Sequence, residues 1–284
     1  MAVTKITDLG GLFNAIYEDA VFVARDNNLM SNLVTVFPRQ DGYADRKVGI
    51  WNSATIMEVA DGVDFVTNTK FSQSLKATFT PTEKMGQFIV TDAMVKTAEG
   101  RASARSSAAM ELGMAMAQKI DVHLLNVFSS FAVSKGSANN AMTLAIVAAG
   151  RSVIKKNKAR GRAQAVLHDY HWHDIWTELG QPVVEKAFLG DVANQAMRDY
   201  GVGSFLNTDW YTSDNISIDG SDDAISGIFV REALALDPRD EVSFEDERDA
   251  SLRGWELNVH AGYAVGVLWD DRGAKLTADA TEPS

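Results

Sequence analysis

Hydrophobic and polar residues alternate along two stretches of this chain and recur at helical spacing along others, and the change of period divides the sequence. From residue 65 to residue 79 the odd positions are Phe, Thr, Thr, Phe, Gln, Leu, Ala and Phe, and the even positions are Val66, Asn68, Lys70, Ser72, Ser74, Lys76 and Thr78. One face is apolar or β-favouring and the other polar, the period-2 mark of a half-buried strand. Unbroken at ~3.3 Å per residue it would reach ~50 Å, against ~5–6 residues for an ordinary strand. Gly42 and Gly62 punctuate short runs before it, and a turn at 81–84 leads into an apolar run at 85–90. Residues 39–92 therefore read as an extended β loop of two or three strands, which is marginal alone and must lie on something, another subunit included. The second alternation sets Trp255, Leu257, Val259, Ala261, Tyr263, Val265, Val267 and Trp269 against Glu256, Asn258, His260 and Gly262. It predicts a long strand pair bent at 261–262, followed by a turn at 270–273, a strand at 274–278 and a polar tail.

Helical spacing is clearest over residues 102–128, where Ala109, Leu112, Met116, Ile120, Leu124 and Val127 follow the i, i+3, i+4 pattern without a proline. At ~1.5 Å per residue this helix spans ~40 Å. Arg105, Glu111, Lys119 and Asp121 interrupt it, which makes it amphipathic. Met110, Met114 and Met116 read as core filler. Near the start, Leu12, Ile16, Ala20 and Val23 have helical spacing with Thr7 or Asp8 as a cap, yet an extended arm fits equally well. Phe37–Pro38 closes that segment. A Ser/Gly/Asn-rich connection at 129–140 marks a boundary. Beyond it the pattern predicts helices at 142–158, 169–179 and 183–200, a short buried strand at 162–168, and strands at 205–218 and 224–236 around a turn at 219–220.

Composition narrows the function. The chain has 284 residues, 46% hydrophobic and 23% charged, so it folds and buries a sizeable core. Its formal net charge is −11, which does not suit a nucleic-acid binder built on many phosphate contacts. There is no cysteine, hence no disulfide, zinc–thiolate site or thiol nucleophile. Asp8, Glu18, Asp19 and Asp26 lie in the first 30 residues, so no targeting segment is expected, and no window of ~18 apolar residues predicts a membrane span.

Candidate chemistry is sparse. His168, His171, His173 and Asp174 cluster, and His168 and His171 share a helix face at a spacing of three. No HExxH pattern accompanies them, His171 and His173 point apart on a helix, and Trp172 and Trp176 mark a packing face, so the structural reading is the stronger. Neither a GxGxxG nor a GxxxxGK[ST] loop nor a GxSxG elbow occurs, and no cofactor is indicated. Lys155, Lys156, Lys158, Arg160 and Arg162 form the one dense basic run. It reads first as a solvated helix C-terminus, where cations suit the dipole. A second reading pairs it, across a subunit boundary, with the stretch 237–249, which holds seven acids and two arginines.

The order of elements resembles the major capsid proteins of tailed phages, with the Hong Kong ninety-seven-type fold also found in encapsulin shells. Residues 115–128, AMAQKIDVHLLNVF, resemble the end of that family's spine helix. Residues 165–176, AVLHDYHWHDIW, resemble a strand and short helix of its axial domain, and residues 261–279, AGYAVGVLWDDRGAKLTAD, its closing strands. The resemblance implies an α+β capsid fold: an N-terminal arm at 1–38, an extended β loop at 39–92, and a peripheral domain with the spine helix at 93–140. An axial domain at 141–245, and the closing strands of the peripheral domain with a C-terminal tail at 246–284, complete it. It implies a structural protein, not an enzyme, assembling as pentamers and hexamers into an icosahedral head in the host cytoplasm. It further implies scaffolding and portal proteins as partners, and enclosed double-stranded DNA that is not bound by sequence. An acidic subunit suits a container that must release its DNA.

Candidate intersubunit contacts are Phe65, Phe71, Leu75 and Phe79 on the alternating face, the basic run Lys155, Lys156, Lys158, Arg160 and Arg162, and the acids Asp240, Glu241, Glu245 and Asp246. Two other readings stand beside the capsid: an encapsulin-type compartment shell, and a metal-dependent enzyme using residues 168–174.

Overall fold

The described residues form a four-stranded sheet, a six-stranded sheet and a separate two-stranded ribbon, and a long helix packs on the four-stranded sheet. The computed structural model describes residues 29–52, 56, 58, 61, 70–93, 101–159, 161–180 and 203–283. The segments predicted at 12–23 and 183–200, and the candidates Phe65 and Arg160, lie outside the described residues.

The chain enters through a single helical turn, α1 (Met30–Leu33), and a two-residue strand, β1 (Thr35–Val36). Strands β2 (Arg46–Trp51) and β3 (Gln73–Phe79) pair antiparallel as a separate two-stranded ribbon. Strand β4 (Thr82–Thr91) does not extend that ribbon. Pro81 separates it from β3, and β4 pairs antiparallel with a later strand instead. Helix α2 (Arg101–Asn126) matches the predicted spine helix and runs on into a 3-10 turn at Val127–Ser130. Next come β5 (Ser134–Gly136), α3 (Leu144–Lys156), β6 (Ala163–Leu167) and α4 (Asp169–Gly180). The remaining strands are β7 (Ser204–Phe205), β8 (Thr208–Thr212), β9 (Asp223–Val230), β10 (Leu234–Asp249), β11 (Gly254–Val267) and β12 (Gly273–Asp279).

The first sheet has the order β1-β10-β11-β4 and carries the spine helix. The second has the order β5-β12-β9-β6-β8-β7. Several expectations change here. The alternation at 255–269 is a single unbroken strand through Val267, and its partner is the acidic run, drawn into β10 by backbone pairing from Leu234↔Val267 to Asp249↔Gly254. The irregularity expected at 261–262 falls on the opposite strand, as register shifts on either side of Asp240, which faces Gly262. A Cβ at Gly262 would lie 2.5 Å from the Tyr43 hydroxyl and 2.9 Å from Asp240 Oδ2, so a side chain here would have to displace that hydrogen-bonded pair. Strand β12, expected among the closing strands of the spine-helix sheet, pairs with β9 and β5 in the other sheet, and β10 crosses the boundary drawn at 245. Residues 205–218 hold only the short β7 and β8. The latter runs parallel to β6, while an isolated bridge Ile218↔Ala224 closes the predicted turn.

The core follows this arrangement. Leu112, Met116, Leu124 and Phe128 of the spine helix and its extension pack with Leu257, Val259 and Tyr263 of β11, and with Met30 and Val34 of the entering chain. A second cluster, including Val147, Ile154, Trp172, Ile175, Leu167 and Leu276, seats α3 and α4 on the six-stranded sheet. No described helix is long and apolar enough to cross a membrane.

Candidate assembly surface

The ribbon β2–β3 has a clamped root and an apolar outer part, and the division runs through its alternating face. At the root, Phe79 is 3% exposed and packs with Ala235, Ala264 and Leu268. Phe37 meets its ring edge-on at 5.4 Å. Farther out, Phe71 is 73% exposed and Leu75 62%. Trp51 of β2 lies flat on Phe71, with ring centroids 4.4 Å apart and planes 3° from parallel. Ile56, beyond the strand, is also exposed. Phe79 is thus a correction to the expected contact face. The alternation places it with Phe71 and Leu75, but β3 crosses β11 at that end, so its ring is used within the subunit.

Buried charges lock the same root. Asp237 and Arg239 are both fully buried and pair at 2.8 Å. Arg46 Nε of β2 donates to the other Asp237 oxygen at 2.8 Å. Arg239 further donates to the carbonyls of Gly42 (3.1 Å) and Ala44 (2.9 Å), and Arg46 to that of Pro38 (2.8 Å). Two guanidinium groups on one carboxylate, with further donors on backbone carbonyls, compensate the buried Asp237 and Arg239 charges for the loss of water. Segment 38–46 is thereby tied to β10.

The two charged runs are partly consumed inside the subunit. Arg162 pairs with Asp209 at 3.3 Å and donates to the Ser204 hydroxyl. Glu241 pairs with Arg39 at 3.2 Å, and Asp240 accepts from the Tyr43 hydroxyl, whose pKa that bond and burial push up to about 12. All three therefore have partners within the subunit, brought by β8 and the 39–43 segment, that sequence distance concealed. Lys155, Lys156 and Lys158 stay exposed at the end of α3, and Glu245 and Asp246 are exposed on β10.

The histidine cluster is structural cross-linking. The His171 ring is fully buried; Nδ1 lies 2.7 Å from Ser226 Oγ and Nε2 lies 3.2 Å from the Ala278 carbonyl. That acceptor puts the proton on Nε2, Ser226 donates to Nδ1, and Ser226 Oγ accepts the His168 backbone N–H at 3.2 Å. Burial lowers the His171 pKa to about 4 and also lowers that of His168. Asp174 accepts from the Met142 backbone at 3.0 Å and Glu178 from Leu144 at 2.8 Å, so two carboxylates of α4 hold the start of α3. His173 lies against Trp176. Among the described residues no three His, Cys, Asp or Glu side chains converge on a metal-binding arrangement.

The decisive comparison is with protein families: a model described as phage capsid protein matches residues 76–276. The chain belongs to the phage capsid protein family. A search of the curated proteins finds no significant match. Solved structures agree on the fold. The capsid protein is similar to a structure of Mycobacterium phage Che8 at 14% identity and a TM-score of 0.71, over 94% of this chain and 97% of that one. It is similar to Gordonia phage Cozz at 8% identity and a TM-score of 0.74, over 96% and 93%. To the head structure of Helicobacter pylori bacteriophage KHP40 it is similar at 13% identity and 0.71, over 99% of each. Family and fold together make it a major capsid protein of the tailed-phage kind, a structural protein of the virion.

Several residues that shape the capsid protein's surface were not singled out from the sequence. Arg239 carried a signal: an arginine beside Pro238 inside an acidic run. Arg46 carried none, because its partner is 191 positions away. Met85, Val242 and Phe244 are further exposed apolar side chains on the spine-helix sheet.

Proposed function

We propose that this major capsid protein assembles as pentamers and hexamers into the icosahedral head of a tailed double-stranded DNA phage and encloses the genome. In this reading the extended β loop lies on a neighbouring subunit and the axial domain surrounds the local five- and six-fold axes. Scaffolding and portal proteins are its partners during assembly in the host cytoplasm. The observation that carries the proposal is the ribbon itself. Its root is fastened by Phe79 and the Asp237–Arg239–Arg46 network, while Trp51, Phe71 and Leu75 stand in solvent. Apolar surface held out rigidly is costly in a lone subunit and gains free energy when a neighbour covers it.

The test is expression with and without the candidate scaffold, followed by sedimentation and electron microscopy. Closed shells, and DNA in particles from infected cells, are expected. A monomer under every condition would refute assembly. Shells that hold a protein cargo in place of DNA would make it a compartment shell.

A further inference from the structure

Helix α3 ends beside a concave patch of positive charge. Arg151 and Lys155, four positions apart on one helix face, line a cavity of about 210 Å³ together with the buried apolar side chains Ile154, Ala163 and Val230. Arg151 Nε donates to Thr208 Oγ1 at 3.1 Å and Nη2 to the Asn207 carbonyl at 3.3 Å, which fixes the guanidinium and leaves Nη1 without an acceptor among the described residues. No carboxylate of the described residues pairs with Arg151 or Lys155, whereas nearby Arg162 is taken by Asp209. A matching surplus of acid lies on β10. Asp237 is buried against Arg239, Asp240 and Glu241 are held by Tyr43 and Arg39, and Asp249 accepts the Ser251 and Leu252 N–H groups of its own turn. Asp246 shares the spine-helix side of the sheet with Phe244, whose ring would lie 3.3 Å from a Cβ at Gly113. Glu245 and Glu247 therefore point to the other side, exposed and without a hydrogen bond or ion pair among the described residues. Glu247 stands directly opposite Glu256 of β11, and like charges so placed repel.

We propose that the cavity at the end of α3 is a docking site for a glutamate of a second copy of this chain, and that the glutamate is Glu247. The cavity offers an arginine N–H and a lysine ammonium to one carboxylate, the charge-assisted pairing that is stronger than neutral hydrogen bonding. Thr208 and Asn207 already hold the arginine, so little side-chain freedom is lost on docking. The apolar lining receives the two methylenes of a glutamate. Charge complementarity names the occupant. With a net charge of −11, every copy brings spare carboxylates, and docking Glu247 relieves its repulsion by Glu256 while it neutralises two unpaired cations. Duplex DNA is the poorer occupant, because its affinity comes from many phosphate contacts along an extended basic surface, and this site is a small hollow in an acidic protein. A single exposed ion pair contributes little, but this one includes a half-buried, pre-held arginine and recurs at each subunit boundary. The proposal rests on the capsid reading, whose subunit contacts it makes specific.

The experiment is a charge swap joined to a cysteine pair. Lys155→Glu and Glu247→Lys are made singly and together, and particle yield is measured by sedimentation at low salt. Each single reversal should lower the yield at least fivefold while the melting temperature of the unassembled subunit stays within about 2 °C of wild type, since both positions are exposed. The double reversal should return the yield to within twofold of wild type. Because the chain has no cysteine, Lys155→Cys and Glu247→Cys subunits can be mixed and oxidised, and any disulfide then joins two copies. The mixture should give at least five times the linked dimer that either variant gives alone. Single reversals that assemble normally, a double reversal no better than the singles, or a mixture that links no more than its components would each overturn the proposal. Lys155→Glu shells that form at full yield but hold less DNA would assign the cavity to nucleic acid and overturn it likewise. Should a charge variant fail to fold, the cysteine pair decides alone. If wild type makes no shells, the capsid reading fails. The cysteine pair in concentrated subunits then decides whether the contact between copies stands.

Discussion

Phe71, Leu75 and Phe79 share one face of one strand, and the structure separates them so sharply that substituting them should produce opposite phenotypes. Phe79 is 3% exposed, and truncating such a core phenylalanine to alanine costs ~3–5 kcal/mol. For a chain of this size 1 kcal/mol moves the melting temperature by ~2–4 °C, so Phe79→Ala should lower it by on the order of 10 °C. Phe71 and Leu75 are 73% and 62% exposed, and exposed substitutions usually stay within ~0.5 kcal/mol. Phe71→Ser with Leu75→Ser should therefore leave melting of the lone subunit within about 2 °C. Assembly should show the reverse. Complete burial of a Phe or Leu stabilises by ~1.5–3 kcal/mol, and about two thirds of each side chain is still available to a neighbour. The loss is then ~2–4 kcal/mol per ribbon, roughly 30- to 1,000-fold in each subunit contact. Circular dichroism of unassembled subunits and particle yield by sedimentation read the two effects separately. A double variant that melts as early as Phe79→Ala would place the whole face in the subunit core. One that assembles at wild-type yield would leave the tip in solvent. Either result refutes the division at Phe79.

Three further outcomes are expected. Between pH 6.5 and about 4 the unfolded chain protonates its histidines while buried His171 stays neutral, so the subunit should lose on the order of 3 kcal/mol as pH falls through that window. His168 adds in the same direction, and Asp174, whose pKa burial raises, opposes it; His171→Gln should flatten the fall seen in denaturant melts taken at each pH. Asp237→Asn leaves the buried Arg239 guanidinium without a balancing charge and should cost ~3–5 kcal/mol, opening segment 38–46 to proteolysis; unchanged cleavage would show that the network does not hold the ribbon. Reversing charge at exposed Lys155 and Lys156 should shift the salt dependence of assembly without changing subunit melting, since exposed pairs are worth ~0–1 kcal/mol and are screened; an identical salt profile would exclude the α3 terminus from the subunit contact.

The residue pattern by itself determined the local elements. A stripe at 109, 112, 116, 120 and 124 specifies the spine helix within a residue or two of Arg101–Asn126, because helical periodicity depends only on which neighbours share a face. The strands at 163–167 and 273–279 and the helix at 169–180 were legible for the same reason. The order of these elements, and the short segments resembling capsid proteins, carried the fold and function.

Pairing between distant segments was decided only by the tertiary structure. The acidic run at 237–249 has no predicted element, yet it became part of β10 because β11 offered it a backbone ladder, and a ladder is indifferent to side-chain charge. Alternation assigned Phe71, Leu75 and Phe79 one fate, since period 2 names a face and not what covers it. Asp121 read as an interruption of an apolar stripe. Its partners include the Leu29 and Met30 backbone N–H groups and Asn215, all more than ninety positions away, and no local pattern encodes which partners will satisfy a buried carboxylate.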